Sequence, residues 1–242
     1  MENRMIRYAE TTVFNVGARV IVNTVNCIGV MGNGLALECR LRYPEMFDDY
    51  VARCRRGEVA IGKPYLFRYP RGLTIINLAV KAHWKHPSRL EWVRLGLAGL
   101  ITLLDREGIA TLAIPPLGCD LGRLDWRQVQ PLVEHYLDPH PTDTIICLDR
   151  EERATGVEGQ MVDLLNDTAN PWWLTELRPG QAIAQRILDA LPINRFRDLR
   201  RLPGVGKRTY EQLHRLLYCR VTGVEFPELK QPRMLKQLCL LL

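Results

Sequence analysis

The sequence has 242 residues, of which 47% are hydrophobic and 25% charged, a composition typical of a globular chain with one sizeable core and a small second module. It contains no run of ~18 apolar residues, and "MENRMIRYAE" at the start lacks an apolar signal region, so we expect a cytoplasmic protein with no membrane partner. The seven cysteines include no C-x-x-C pair, which argues against a metal site and against a disulfide framework.

The net charge of +6 is unevenly distributed. Residues 171–242 contain 13 Lys and Arg and 6 Asp and Glu, so they carry +7, and the preceding residues carry −1. A basic excess in one segment is typical of nucleic-acid binding, but surplus charge is also a common aid to solubility. Charge alone leaves both interpretations open.

The first 150 residues alternate between strand-like and helix-like patterns, which indicates an α/β fold with a mostly parallel or mixed sheet. The predicted strands are Met5–Ala9, Arg19–Val25, Tyr65–Tyr69, Leu73–Leu78, Ala110–Pro115 and Thr142–Leu148. The predicted helices are Gly34–Tyr43, Pro44–Arg56, Ser88–Arg106 and Asp125–Leu137. Ser88 and Glu91 predict a capping box for the third helix.

After Asp149 the strand signals end. We predict a domain at residues 1–152, a linker with one helix at 153–175 and a small all-helical module at 176–242. The predicted helices of the module are Gly180–Leu191, Arg195–Arg201 and Lys207–Leu217. The apolar end, "PRMLKQLCLLL", predicts a buried helix or a subunit contact.

A glycine-rich stretch, "VNTVNCIGVMGNGLA", lies where the second strand gives way to a helix. Glycines allow a close approach of the backbone to a ligand, and free amides at a helix start bind anions, so the stretch suits a diphosphate. A tight loop without a ligand would also explain it. The candidate ligand residues here are Asn23, Asn26, Gly29, Val30, Met31, Gly32 and Gly34. The partner of each asparagine amide is either neighbouring backbone or a ribose hydroxyl.

A second glycine cluster, "IPPLGCDLGRLDW", also follows a strand and precedes a helix. Two such loops on adjacent strand ends would form a cleft for an extended anionic ligand. The candidate residues in it are Pro116, Leu117, Gly118, Cys119, Asp120, Leu121 and Gly122.

The stretch "VKAHWKHPSRLEW" follows the fourth strand. From the residues alone, Lys81 is most simply a solvated lysine at a strand end, although a lysine with a lowered pKa can act as a nucleophile or a base. His83 and Trp84 could contact nucleic acid, with Trp84 stacking on a nucleobase, and ordinary packing is an equal alternative for Trp84.

In this order and spacing, the three motifs resemble the macrodomain family, and within it the branch of DarG-type DNA ADP-ribosyl glycohydrolases. The resemblance covers residues 5–150 and implies a three-layer α/β/α fold with a mixed sheet. It implies that Asn26 contacts the distal ribose and that Lys81 carries the glycohydrolase chemistry. Gly29–Gly34 would wrap this ribose and the diphosphate, and Gly118–Gly122 would form the second phosphate and ribose loop.

The resemblance also implies partners and a reaction. ADP-ribose would be the ligand and product, with no cofactor, and the substrate would be ADP-ribosylated DNA that is single-stranded or damaged. The glycohydrolases of this branch are antitoxins that reverse the modification of DNA by a toxin, so the resemblance implies an ADP-ribosyltransferase toxin as the cognate partner. The chain departs from the family pattern in having Ala9-Glu10 for Gly-Asp, Asn33 for Lys and Arg123 for Gly. At Gly122 a related glycohydrolase has an acidic residue.

The segment "FRDLRRLPGVGKRTYEQLHRLL" resembles a helix-hairpin-helix. Gly204 and Gly206 would expose amides at a helix start to a DNA phosphate, supported by Lys207, Arg208 and Thr209. Some hairpins of this kind only pack against protein.

We therefore expect hydrolytic removal of ADP-ribose from a nucleobase, in an antitoxin-like or repair-like role. Two alternatives remain open from the sequence. One is a non-catalytic ADP-ribose reader, and the other is a macrodomain that removes ADP-ribose from protein or RNA.

Overall fold

The computed structural model describes residues 6–70 and 72–225. The chain divides into two compact units, Met1–Gly156 and Val157–Leu242, and the boundary between them lies within the predicted linker. The prediction made for the apolar end of the chain, residues 232–242, lies outside the described residues.

The first unit is built on a six-stranded mixed sheet with the strand order β1-β6-β5-β2-β4-β3. β3 runs antiparallel to β4, and the remaining pairs are parallel. The strands are β1 Ile6–Ala9, β2 Val20–Asn26, β3 Tyr65–Arg68, β4 Thr74–Lys81, β5 Thr111–Ile114 and β6 Asp143–Cys147. The predicted strands and the mixed sheet are confirmed, but β4 continues past Leu78 to Lys81.

Helices cover both faces of this sheet, which confirms the three-layer α/β/α fold. Successive strand residues point to opposite faces, so Ile76 packs in one core with α3 and α4, whereas Ile75 packs in the other with α1 and α2. Because both faces are covered, the strands are apolar almost throughout. The helices are α1 Gly34–Arg42, α2 Pro44–Arg55, α3 Leu90–Glu107 and α4 Trp126–Leu137.

The capping box predicted at the start of α3 is wrong. The helix begins at Leu90, and its N-cap residue is Arg89, whose side chain makes no capping hydrogen bond. Ser88 is buried, and its backbone N–H donates to the carbonyl of Gly122 at 2.9 Å. The residues before α3 are therefore held against the second glycine cluster, which moves the start of the helix beyond Ser88.

The strand order places a topological switch between β2 and β5. From β2 the chain proceeds through α1 and α2 towards β3 and β4 on one side, and from β5 it proceeds through α4 to β6 on the other. Ligands of open α/β sheets bind outside the carboxyl ends of the strands at such a point. Both glycine-rich loops follow these two strands.

The second unit is helical. Its first helix, α5 Gly156–Asn166, begins at the boundary residue, and the unit continues with α6 Trp172–Leu177, α7 Gln181–Ala190, a short 3₁₀ helix Phe196–Arg201 and α8 Lys207–Thr222. Residues 153–175, predicted as a linker with one helix, thus contain α5 and part of α6, because Met161, Leu165 and Trp173 are apolar side chains that become buried there. A buried ion pair joins Arg195 to Glu158 at 3.1 Å.

Candidate functional site

Two loops at the switch point come into contact. The first glycine loop is residues 27–33, after β2, and the second glycine loop is residues 115–125, after β5. A Cβ built on Gly34, at the start of α1, would lie 3.2 Å from a carboxylate oxygen of Asp120 and 3.4 Å from the Leu121 side chain. The loops thus meet at the start of α1.

Asn26 holds the first glycine loop in shape. Its amide nitrogen donates to the Val30 carbonyl at 2.6 Å, and its amide oxygen accepts from the Ile28 N–H at 3.1 Å. The Tyr50 hydroxyl donates to the Asn26 backbone carbonyl at 2.7 Å. In this structure the partners of the Asn26 amide are therefore the loop backbone and the Tyr50 hydroxyl, and a direct ribose contact stays a prediction.

Asn23 lies in the core and not in the cleft. It is 0% exposed, and its amide nitrogen donates to the Asn77 side chain at 2.8 Å across the β2–β4 pair. Asn77 in turn donates to the Tyr65 hydroxyl at 3.2 Å. A fully buried amide cannot reach a ligand in this structure, so Asn23 supports the strand beneath the loop instead of contacting the ligand.

The first glycine loop offers its backbone more than its side chains. Met31 is only 2% exposed and packs in the core, and Val30 is half-buried. Gly29 and Gly34 have left-handed backbones, with φ of +86° and +57°. Gly32 has no positive φ, and a Cβ there would meet only Val30, at 3.9 Å. The fold therefore does not require glycine at Gly32.

Lys81 links the two loops. It ends β4 and pairs with Asn26 after a bulge that shifts the register between Val25 and Asn26. Such bulges re-aim side chains. The Lys81 ammonium donates to the Leu121 carbonyl of the second glycine loop. Partial burial and the nearby positive charge of Arg123 lower the pKa of Lys81, whereas the Asp120 carboxylate acts to raise it.

The second glycine loop is tightly folded. Gly118 has φ of +70°, and a Cβ on Gly122 would lie 2.1 Å from the Gly118 carbonyl oxygen. The side chain of Leu117 is buried, and those of Pro116 and Cys119 are half-buried. Burial raises the pKa of the Cys119 thiol to about 11, which keeps it protonated and makes it a poor nucleophile at neutral pH.

The acidic residue of the second glycine loop is Asp120, two positions before Gly122, where a related glycohydrolase has its acidic residue. No acidic side chain fits at Gly122, because any Cβ there collides with the Gly118 backbone. Asp120 is exposed in the same loop, close enough to Lys81 to influence its pKa, and its carboxylate lies against Gly34. Asp120 is therefore the carboxylate that the structure places beside Lys81.

The residues after Lys81 form a cluster of rings. His83 stacks on Trp84 with ring centroids 5.8 Å apart, and the rings of His83 and His86 are 5.2 Å apart. The Lys85 ammonium lies 5.1 Å from the centre of the Trp84 ring. Nδ1 of His83 accepts from the Lys85 N–H at 3.1 Å, so Nε2 carries the proton in the neutral ring. His83 and Trp84 thus lie together in the loop that continues from Lys81.

The hairpin lies in the second unit. The 3₁₀ helix and α8 flank Leu202–Gly206, and Gly204 has φ of +82°. The first intrahelical bond of α8 runs from the Tyr210 N–H to the Gly206 carbonyl at 3.0 Å. The amides of Lys207, Arg208 and Thr209 therefore have no acceptor within the helix. Gly206, Lys207 and Arg208 are exposed, so this end of α8 faces solvent.

Residues 6–70 and 72–225 contain no group of three or more His, Cys, Asp or Glu arranged to hold a metal ion. None of their helices is long and apolar enough to cross a membrane.

Sequence reasoning missed some of the residues that shape the site. Asn77 is a polar residue within an apolar strand, as Asn23 is, and this shared pattern could have identified the pair. Tyr50 and Ser88 carry no such signal, since an aromatic residue within a helix and a serine before one are ordinary features. Their contacts with the loops depend on tertiary packing.

Comparison with known proteins agrees with this geometry. The Macro domain family model matches residues 22–133. A DNA ADP-ribosyl glycohydrolase of Mycobacterium tuberculosis is 42% identical over 146 residues, which is 59% of this chain and 42% of the relative. The chain thus spans less than half the length of this curated relative.

Solved structures show the same likeness. The macrodomain of Mycobacterium tuberculosis DarG is 41% identical with a TM-score of 0.57, and the match covers 60% of this chain and 99% of that one. Thermosipho africanus DarTG in complex with ADP-ribose is 30% identical with a TM-score of 0.57, over 64% of this chain and 44% of that one.

Proposed function

The chain belongs to the macrodomain family, and from this premise we propose that it is a hydrolase that releases ADP-ribose from a nucleobase in DNA. The observation that carries the proposal is Lys81, a half-buried lysine with a lowered pKa that joins the two loops at the switch point. Solvated surface lysines have neither feature. The named relatives, DNA ADP-ribosyl glycohydrolases, support the choice of reaction.

The loops would hold the ligand through their backbone. The diphosphate is placed by the free amides at the start of α1, where the helix dipole also favours negative charge. Gly32 lets the backbone approach the distal ribose closely. Asn26 acts on that ribose through the loop that it holds, because its amide is bonded to Val30 and Ile28.

Cleavage of the N-glycosidic bond generates positive charge at the anomeric carbon, which the site must tolerate while it supplies a nucleophile. A neutral Lys81 amine supports two routes. It can take a proton from the attacking water, or it can attack the anomeric carbon and displace the nucleobase, which leaves with a proton, after which the ribose ring opens to give a Schiff base. Water then hydrolyses this imine, which releases ADP-ribose and restores the amine. Asp120 is placed to stabilise the developing positive charge or to accept a proton.

The substrate end of the site would face the ring cluster of His83 and Trp84. An unpaired base can stack on aromatic rings, and such stacking contributes ~1–3 kcal/mol per base in single-strand binding. In the second unit, the free amides at the start of α8, with Lys207, Arg208 and Thr209, would bind backbone phosphates without regard to sequence. Single-stranded or damaged DNA is therefore the substrate class that we assign.

A cognate ADP-ribosyltransferase is the partner that this function requires, because some enzyme must install the modification. A relative in Thermosipho africanus is named a fusion of a DNA ADP-ribosyl transferase with a DNA ADP-ribosyl glycohydrolase. The pairing in that protein supports an antitoxin-like role here.

The test is release of ADP-ribose from single-stranded DNA modified on thymine or, in parallel, on guanine. Wild type should release it, and Lys81→Ala should lose at least about a hundredfold in rate, as is common for loss of a general base or nucleophile. Lys63→Ala is the matched control, because Lys63 is an exposed lysine whose removal should leave the rate unchanged.

The outcomes separate the alternatives. Release that depends on Lys81 identifies the protein as the enzyme, and the substrate that is cleaved, modified on thymine or on guanine, identifies the nucleobase. Tight ADP-ribose binding without release by wild type would favour the non-catalytic reader. Release from modified protein but not from modified DNA would favour a macrodomain that removes ADP-ribose from protein or RNA. Reduction with cyanoborohydride during turnover would trap a covalent adduct on Lys81 only in the Schiff-base route.

A further inference from the structure

Arg123 has an unfavourable backbone conformation. Its φ is +63°, in the left-handed region, which disfavours residues with a Cβ. The fold requires this course of the backbone: the Arg123 N–H donates to the Asp120 carbonyl at 3.0 Å, and the Leu124 N–H donates to the Gly118 carbonyl at 3.1 Å. A glycine would follow the same course without strain. The reason for arginine must therefore lie in its side chain.

The Arg123 side chain has no role in holding the fold together that would explain the strain. It is exposed, and within residues 6–70 and 72–225 it takes part in no ion pair. Arg127, on the adjoining helix, instead forms an ion pair with Asp125 at 2.8 Å. Strained residues persist where function requires them.

The Lys81 side chain donates to the carbonyl of Leu121, two residues before Arg123, and the charge of Arg123 lowers the pKa of Lys81. Asp120 lies in the same turn, since its carbonyl accepts from the Arg123 N–H. With Lys81 in its neutral, reactive form, Arg123 is a cation at the rim of the second glycine loop that no carboxylate among the described residues pairs with. A guanidinium in this state suits a phosphate. This part of the rim therefore suits an anionic group of the substrate.

Two anions come into question, the diphosphate of ADP-ribose and a phosphate of the DNA strand. Under the proposed function, the diphosphate is bound by the amides that start α1, directly after the first glycine loop. Lys81 marks the anomeric carbon, from which the nucleobase departs. An anion bound beside Lys81 on the other loop is thus closer to the nucleotide that carries the base.

Resting on the function proposed above, we infer that Arg123 binds a backbone phosphate of the DNA strand next to the modified nucleotide. Arg123 is then a specificity-determining residue. It favours ADP-ribosylated DNA over an ADP-ribosylated nucleoside, which has the same base and ADP-ribose but no such phosphate.

The experiment compares kcat/KM for an ADP-ribosylated oligonucleotide with that for the corresponding ADP-ribosylated nucleoside. Arg123→Gly should lower the ratio of the two values about tenfold, the size of one charge-assisted contact. A change in the pKa of Lys81 affects both substrates alike and cancels in the ratio. Arg127→Ala, which removes a paired arginine nearby, should leave the ratio unchanged.

Folding is checked in the same variant. Arg123→Gly should unfold at the same or a higher temperature than wild type, because it relieves a left-handed arginine. A lower ratio in a variant that is at least as stable as wild type excludes misfolding as the cause.

An unchanged ratio would overturn the inference, and equal losses of kcat/KM for both substrates together with weaker binding of free ADP-ribose would assign Arg123 to the diphosphate. If wild type hydrolyses neither substrate, the proposed function fails separately. The inference is then decided by binding: it survives if Arg123→Gly weakens affinity for the modified oligonucleotide and not for the nucleoside, and falls if both are equally affected.

Discussion

Lys81 is held in an environment that disfavours its charged form. Its side chain is partly buried and donates to a backbone carbonyl, and the charge of Arg123 acts on it. Burial and a like charge both favour the neutral amine, which is the form that can act as a nucleophile or a base. This gives the lysine a chemical property that its position in the sequence does not reveal.

The dependence of activity on pH tests this property. Because the neutral amine is the reactive form, kcat should rise with pH through an apparent pKa below that of an ordinary lysine. Asp120→Asn removes the charge that raises the pKa of Lys81, so the rise should move to lower pH. Arg123→Gly removes the charge that lowers it, so the rise should move to higher pH. Profiles that coincide for all three proteins would contradict this assignment.

Gly32 separates ligand binding from folding. A Cβ there meets only Val30 at 3.9 Å, so Gly32→Ala should unfold within a degree or two of wild type, as a substitution worth about ±0.5 kcal/mol does. The added methyl group would occupy the space of the ribose, so calorimetry should show at least about tenfold weaker binding of ADP-ribose, or 1.4 kcal/mol.

Gly122→Ala provides the contrast for this prediction. Its Cβ would lie 2.1 Å from the Gly118 carbonyl oxygen, so this variant should lose stability as well as affinity. Equal affinity of wild type and Gly32→Ala for ADP-ribose would place the ligand elsewhere.

At the level of elements, the loop after β2 and the hairpin before α8 use the same physical device. Each leads into a helix whose first backbone amides have no side-chain cap, so that an anion can be bound there without a dedicated side chain. In the first unit the anion assigned is a diphosphate, and in the second it is a DNA phosphate.

The hairpin is tested with unmodified single-stranded DNA. The double variant Lys207→Ala, Arg208→Ala should bind about tenfold more weakly, and the slope of log affinity against log salt should become shallower by about 0.7 for each phosphate that the variant no longer neutralises. Arg220→Ala removes one charge from the last turn of the same helix and should have little effect. Equally weakened binding from changes at both ends of α8 would indicate a general charge effect without a binding site at the hairpin.

The strands were well predicted from the sequence because they are apolar on both faces and bounded by turn residues, so local pattern and tertiary burial agree. The start of α3 was not, since Ser88 follows a local capping pattern that its contact with Gly122 overrides. The bulge that brings Lys81 opposite Asn26 is likewise a property of strand pairing.

The site was predicted in outline, and the details were set by packing. The glycines and Lys81 could be selected from their motifs. The different contacts of the two asparagines could not, because Asn23 and Asn26 have similar neighbours in sequence, and only the folded chain shows that Asn23 lies within β2 beside Asn77 whereas Asn26 ends β2 at the loop. Asn23 is bonded within the core, and Asn26 is bonded to the loop.

For the whole molecule, the distribution of charge matches the division into two units. The basic excess lies in residues 171–242, all within the second unit, and the proposed hydrolytic site lies in the first. If the second unit binds DNA, that DNA is held near the hydrolytic site of the first unit because the two units are covalently joined. Its effective concentration at the site is then in the millimolar range (~mM for short linkers). The affinity of each unit alone can then be modest.

The most direct test of this account is mass spectrometry of both products after the full chain acts on an ADP-ribosylated single strand. Hydrolysis of the N-glycosidic bond predicts free ADP-ribose together with an oligonucleotide of its original, unmodified mass, and neither should form with Lys81→Ala. An oligonucleotide that keeps a ribose or ribose phosphate would show cleavage at another bond, and an unchanged substrate at high protein concentration would show none. Either result would contradict the proposed glycohydrolase.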